Sequence, residues 1–182
     1  MLYNLSGEEL DPGKTLSISG LPSLNKPGGI TIDFQVEIQD LAPGLLIMGN
    51  MEADEKGFKI ETGEYGSVVL FVSDGLHSGS WSSDPGHIKA YGETAVGIII
   101  DNEPAIIQFV INGIVCDGGS YRQFGWGRFD RQTGDVFNGE LIFHAPGAGS
   151  LSPEGRINHL RIYKRALMNT ELIGNHRYMK NH

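Results

Sequence analysis

Aromatic and arginine side chains are interspersed with glycines between residues 117 and 135, in the stretch DGGSYRQFGWGRFDRQTGD. Aromatic rings stack on the apolar faces of sugars, and arginine donates paired hydrogen bonds to hydroxyl or acidic groups. The stretch is too rich in glycine for a long strand, so we predict a loop at an end or edge of the fold. Its predicted ligand-binding residues are Tyr121, Arg122, Trp126 and Arg128. The alternative is structural, with Phe124, Trp126 and Phe129 anchoring a long loop to the core.

A second aromatic loop is predicted between residues 77 and 91, in the stretch HSGSWSSDPGHIKAY. It adds Trp81, His87 and Tyr91 to the predicted ligand-binding residues. Binding sites are commonly formed by loops at one end of a rigid scaffold. The two loops would form one groove if the fold brings them together.

The carboxylates of the chain do not have the spacing that glycoside hydrolysis requires. A retaining glycosidase holds its nucleophile and its general acid about 5–5.5 Å apart. The nearest pattern is MEADEKG, where Glu52 and Asp54 would share one face of a strand and Glu55 would face the other. Asp33 and Glu37 are about 13 Å apart along a predicted strand, on what we expect to be a solvated sheet face. No catalytic residue is therefore predicted.

The pattern of possible metal ligands favours calcium over zinc. The single cysteine, Cys116, has no recognisable partner in the sequence and is predicted to be buried and unreactive. The histidines show none of the spacings of a zinc protease. Calcium prefers carboxylate and backbone oxygens from loops. The candidate donors of these oxygens are Asp40, Asn50, Asp54, Asp74, Asp101 and Asp117.

Charge and hydropathy restrict the possible partners. The 182 residues carry a net charge of −8, which disfavours nucleic acid, since phosphate binding needs a positive field. No apolar run reaches the roughly 20 residues of a membrane helix, so no membrane insertion is expected. The N-terminal residues lack the features of a signal peptide. A secreted, periplasmic or cell-surface location is then expected only as part of a longer exported system.

Strand-length runs of alternating or continuous apolar residues recur along the chain. In residues 29–38, isoleucine, phenylalanine and valine occupy every second position, which is typical of a half-buried strand. Further strands are predicted at 15–21, 44–49, 57–62, 67–74, 95–101, 105–113, 139–145 and 156–163. One short helix is predicted to begin near Asn169, which can cap it. We expect a single all-β domain over residues 1–182, an antiparallel two-sheet sandwich whose C-terminal helix covers one end or edge.

Two motifs give the chain a resemblance to a known superfamily. The strand, corner and helix at the C-terminal end match a recurrent pattern, and a strand–turn–strand unit runs from Val96 to Gly113 and contains FVING. The matching residues of the first motif are Gly155, Ile157, Leu160, Ile162, Tyr163, Arg165, Ala166, Leu167 and Glu171. The chain resembles the concanavalin A-like lectin/glucanase superfamily, and within it the laminin-G-like jelly rolls. The resemblance implies a jelly-roll sandwich with one C-terminal helix.

Three functions are compatible with such a fold. The first is a non-catalytic carbohydrate-binding module for oligo- or polysaccharide, associated with a bacterial polysaccharide-degrading enzyme. The second is an architectural or protein-interaction domain that orients a neighbouring catalytic domain and binds no sugar. The third, a glucanase-type hydrolase, is disfavoured by the carboxylate pattern.

Overall fold

The computed structural model describes residues 1–51, 55–118, 125–143 and 155–180, which form 13 β-strands and one α-helix. The strands are β1 (Tyr3–Ser6), β2 (Thr15–Ile18), β3 (Gly29–Ile38), β4 (Leu46–Gly49), β5 (Lys56–Thr62), β6 (Val68–Asp74), β7 (Ser78–Ser82), β8 (Gly92–Asp101), β9 (Ile106–Ile111), β10 (Ile114–Val115), β11 (Trp126–Arg128), β12 (Gly139–Phe143) and β13 (Gly155–Tyr163). The helix α1 spans Asn169–Lys180. Within these residues, no helix is long and apolar enough to cross a membrane.

The strands form two antiparallel sheets. Sheet A has the order β1-β13-β3-β8-β9-β10, and β11 also pairs with β9. Sheet B has the order β2-β12-β4-β5-β6-β7. The chain is thus an all-β jelly-roll sandwich with one C-terminal helix, as the sequence predicts.

The alternation in β3 shows how the core is built. Ile30, Ile32, Phe34, Val36 and Ile38 are all buried between the sheets. They pack against residues of sheet B that include Phe58, Ile60 and Leu70, within one continuous hydrophobic cluster. Period-two apolar residues therefore point into the sandwich, and the other face of sheet A points outward.

The helix covers part of that outer face. Leu172 of α1 and Leu167 from the preceding corner pack on Ile99 and Val110, which point away from the main core. Gly97 makes this close approach possible, because a Cβ at this position would lie 2.1 Å from Leu172 Cδ2. The helix thus covers the outer face of sheet A rather than an end of the sandwich.

Asp33 lies beneath this helix and is fully buried, so the predicted solvated face is wrong at this residue. Its carboxylate pairs with Arg161 at 2.9 Å and with His176 Nε2 at 3.1 Å. The Gly113 N–H donates to Nδ1 of the same imidazole at 2.9 Å, which fixes the proton on Nε2, facing Asp33. Glu37, four positions after Asp33 on the same face of β3, is partly exposed and pairs with Arg156 at 3.5 Å.

The corner between β13 and α1 rests on Thr31 of β3. The Thr31 hydroxyl donates to the Arg165 carbonyl at 3.0 Å and accepts the Leu167 N–H at 2.9 Å. Gly29 allows the corner to sit this close, because a Cβ there would lie 2.6 Å from the Ala166 nitrogen. These contacts fix the backbone of the corner on β3.

Glu171, rather than the predicted Asn169, caps the helix. Its carboxylate accepts the Met168 N–H at 2.9 Å and two hydrogen bonds from Arg165 at 2.8 and 2.6 Å. The Arg165 hydrogen bonds lower the pKa of Glu171 from 4.5 to about 2. Among the described residues, the side-chain oxygen of Asn169 has no hydrogen-bond partner.

Candidate functional site

The two aromatic stretches of the sequence meet at one edge of the sandwich. Each contains an edge strand where we predicted a loop: β7 ends sheet B, and β11 lies beside β9 in sheet A. The Trp81 indole donates to the Arg128 carbonyl at 3.3 Å, and the Gly125 N–H donates to the Ser82 carbonyl at 2.7 Å. The short strand β11 is thereby fixed between the edges of both sheets.

Trp81 supports this edge from inside the molecule and does not belong to its exposed surface. It is partly buried and packs against the main core. A Cβ on Gly127 would lie 2.4 Å from Trp81 Cδ1, so the indole contacts the backbone of β11 directly. Phe129 is buried in the main core, as the structural alternative predicts, and Trp81 shares that anchoring role although the alternative named Trp126.

Trp126 and Arg128 project from the other side of β11. Trp126 is paired with Gln108 and Arg128 with Ile106, both on the outer face of sheet A. Residues opposite each other in antiparallel strands share a face, so all four side chains point outward. Trp126 is 50% exposed, and Arg128 is exposed as well. Residues two apart on a strand lie about 7 Å from each other, so the ring and the guanidinium are neighbours.

A shallow hollow of about 330 Å³ lies beside this pair on the same face. Ile106 and Gln108 form its wall nearest to Trp126 and Arg128, and Asp101 adds a carboxylate. The far wall is the corner before α1, with the exposed Met168, and the first helical residue, Asn169. We define Trp126, Arg128 and this hollow as the outer-face platform.

Two more of the predicted ligand-binding residues, Tyr91 and His87, lie outside the platform. Tyr91 is 76% exposed, but it lies just before β8. The platform lies near the other end of β8, where Ile99 pairs with Gln108. Gly92 and Ile99 are seven positions apart, which corresponds to about 23 Å of strand. His87 lies near Asp84 and Cys116 on the inner side of the same edge. Tyr121 and Arg122 fall outside the described residues.

A second, larger hollow of about 620 Å³ lies on the outer face beyond the C-terminal half of α1. Its polar lining includes Gln35, Glu93, Asn112 and Arg177. Sequence reasoning missed it because its residues come from β3, β8, the β9–β10 turn and α1. The sequence feature that could have indicated this hollow is the alternation in β3, which places Gln35 on the outer face. Among the described residues that line it there is no phenylalanine, tyrosine or tryptophan.

Phe71 provides an aromatic ring on the outer face of sheet B, which sequence reasoning also missed. It is partly exposed, and the Lys59 ammonium lies 5.5 Å from its ring centroid. Lys59 also pairs with Glu61 at 2.8 Å. The signal was the alternation of residues 67–74, which places Phe71 opposite the buried Leu70 and Val72.

Two of the predicted calcium donors serve local turns. Asp40 accepts the Ala42 N–H at 2.8 Å, and Asp101 accepts the Glu103 N–H at 3.2 Å. Asp54, like Glu52 of the weak catalytic pattern, falls outside the described residues. Within the described ranges, these aspartates do not form a group of three metal-ligating side chains. Calcium binding stays a prediction.

Asp74 ties two loops together. Its carboxylate accepts N–H groups from Leu76 at 2.8 Å, His77 at 2.7 Å and Gly134 at 2.7 Å. Desolvation by burial opposes ionisation, but these hydrogen bonds outweigh it and hold the pKa of Asp74 well below its usual range. The carboxylate therefore fixes the turn between β6 and β7 to the loop that follows β11.

Solved structures of low sequence identity share the fold. No family model matches the chain, and no curated protein matches it. The binding domain of botulinum neurotoxin serotype G aligns with a TM-score of 0.67 and 13% identity over 93% of this chain, which spans 42% of that structure. The CBM40 of the Ruminococcus gnavus IT-sialidase, bound to α2,3-sialyllactose, aligns with a TM-score of 0.64 and 16% identity over 96% of this chain and 98% of its own. The likeness shows that the chain has the lectin-like sandwich of these proteins.

Proposed function

We propose that this chain is a non-catalytic carbohydrate-binding module that binds oligosaccharides on the outer-face platform. The observation that carries the proposal is the pairing of a half-exposed tryptophan with an exposed arginine on a strand held by both sheets. An indole face stacks on the C–H groups of a sugar ring, and the guanidinium donates two parallel hydrogen bonds to a carboxylate. Sugars that carry a carboxylate are therefore the preferred ligands.

The shared fold supports this proposal. The CBM40 neighbour is solved with a sialylated trisaccharide, which carries such a carboxylate. Membership of the laminin-G-like branch and association with a bacterial polysaccharide-degrading enzyme are parts of the proposal. The rigidity of β11 favours binding, because the platform needs little ordering when a ligand arrives.

The test compares α2,3-sialyllactose with lactose by isothermal titration calorimetry, after a screen on a glycan array. The wild-type protein is expected to bind the sialylated sugar, and Trp126→Ala is expected to weaken binding at least about tenfold, or 1.4 kcal/mol. Arg128→Lys is expected to reduce the preference for the acidic sugar, because an ammonium cannot bind a carboxylate through two parallel hydrogen bonds.

Tyr91→Ala is the matched control, since it removes an exposed aromatic ring about 23 Å away along β8. Unchanged affinity in Trp126→Ala together with a loss in Tyr91→Ala would place the site at the other end of sheet A. A folded protein that binds no glycan on the array would overturn the proposal and favour an architectural domain.

A further inference from the structure

Three metal-ligating side chains of different chemistry converge behind the outer-face platform. Asp84 and His87 belong to the segment that leaves β7, and Cys116 follows β10. One ligand atom from each side chain lies within 4.8 Å of the other two. We propose that Asp84, His87 and Cys116 bind Zn²⁺ and that the ion joins the edge of sheet B to the edge of sheet A.

The surrounding backbone fixes the position of each ligand. The Asp84 carboxylate accepts the N–H groups of Asp117 at 3.2 Å and Gly118 at 2.9 Å. Such outer hydrogen bonds are typical of carboxylates that ligate metals, because they set the orientation of the free lone pairs. The Cys116 N–H donates to the Phe109 carbonyl at 2.9 Å, which ties the thiol to β9.

The backbone on both sides of His87 is anchored. The Gly86 N–H donates to the Tyr65 carbonyl at 2.7 Å, and the Ile88 N–H donates to the Gly66 carbonyl at 3.2 Å. His87 lies between these two anchors and is partly exposed. Its position next to the other ligands is therefore determined by the fold.

The donor set selects the ion. Sulfur, nitrogen and oxygen donors together suit Zn²⁺, whereas Ca²⁺ takes oxygen ligands. Zinc bonds of about 2.0–2.3 Å would bring the donor atoms of a tetrahedral site to about 3.5 Å from each other. Small rotations of the side chains close that difference. Three protein ligands leave a fourth position for water, which the partial exposure of His87 allows.

Burial disfavours a role for Cys116 as a nucleophile. Cys116 is fully buried. A nucleophile must be an accessible thiolate near neutral pH. A metal ion that binds the sulfur instead displaces its proton, which is released to the solvent.

The test uses the whole protein after removal of metal by a chelator. One equivalent of Zn²⁺ is expected to bind in calorimetry, and Co²⁺ in its place is expected to give a thiolate-to-cobalt charge-transfer band in the near ultraviolet. Because Cys116 is the only cysteine of the chain, this band reports on this site alone. Cys116→Ser is expected to abolish the band, and His87→Gln is expected to weaken Zn²⁺ binding at least about 100-fold.

His77→Gln is the matched control, because His77 pairs with Asp74 outside the cluster. It is expected to bind Zn²⁺ like the wild type. Circular dichroism of each variant separates loss of metal from loss of fold, and His87→Gln provides the test if Cys116→Ser does not fold. A folded wild-type protein without the cobalt band, or binding that survives His87→Gln, would overturn the proposal. So would binding of Ca²⁺ that is lost in the same variants.

Discussion

At the scale of single residues, the two tryptophans show what composition predicts and what it misses. The sequence gives Trp81 and Trp126 the same role, because both lie among glycines in polar stretches. The structure separates them: Trp81 is held against Gly127 and the core, and Trp126 is half exposed. The difference depends on which strand edges meet, and this is not encoded in the local sequence around either residue.

This difference predicts that two equivalent substitutions affect stability to different extents. Trp81→Ala is expected to lower the free energy of unfolding by about 2–4 kcal/mol, because it removes a ring that supports β11. Trp126→Ala is expected to change it by no more than about 0.5 kcal/mol, as for other surface positions. Urea denaturation followed by circular dichroism measures both. Equal losses of stability would contradict the distinction.

Asp74 predicts how stability depends on pH. Its pKa is lower in the folded protein than the ordinary value of 3.8, so the folded state binds fewer protons there than the unfolded state. Its contribution is fully present above the unfolded-state pKa and is lost as pH falls toward the folded-state pKa. We expect the free energy of unfolding to decrease between about pH 5 and pH 2.

The variant Asp74→Asn isolates this contribution. It is expected to be about 1–3 kcal/mol less stable at pH 7, because it weakens three hydrogen bonds to backbone N–H groups. Its stability should then fall less steeply than that of the wild type in urea denaturation between pH 7 and pH 3. An identical slope in the two proteins would show that Asp74 is not responsible.

At the scale of elements, α1 and the face of sheet A that it covers explain where strand prediction succeeds and where it fails. The predicted strand at 29–38 matches β3, and the predicted helix start matches α1. Alternation also predicts that Asp33 points outward, and it does so. The sequence could not predict that a helix more than 130 residues later covers it, because burial of Asp33 follows from tertiary docking. The short strands β1, β7, β10 and β11 were missed because two to five residues carry too little alternation.

Gly97 predicts how the docking of α1 can be disrupted. Gly97→Ala places a methyl group in the space of Leu172 and is expected to cost about 1–3 kcal/mol of stability. Gly174→Ala is the matched control, because a Cβ there has no neighbour within 4 Å, and alanine should stabilise the helix by up to about 1 kcal/mol. Thermal unfolding measures both changes. A neutral Gly97→Ala would show that the helix can shift on the sheet.

At the scale of the whole molecule, the fold follows from the sequence more fully than the site does. Apolar periodicity and the C-terminal motif predict two antiparallel sheets and a final helix, because burying one face of each sheet leaves few alternatives. The platform forms because β11 pairs with β9 and contacts Trp81, and these parts of the molecule are far apart in the sequence. The grouping of Asp84, His87 and Cys116 has the same origin, since the segments that carry it belong to different sheets.

The position of β13 in sheet A also sets an order of events during synthesis. This strand lies between β1 and β3, so the N-terminal strand has no partner until residues 155–163 arrive. On the ribosome, sheet A therefore stays incomplete until these residues have left the exit tunnel. Until then, β3 is paired on one side only, with β8. Pairing Tyr3 with Ile162 brings together distant parts of the chain, and such long-range contacts slow folding.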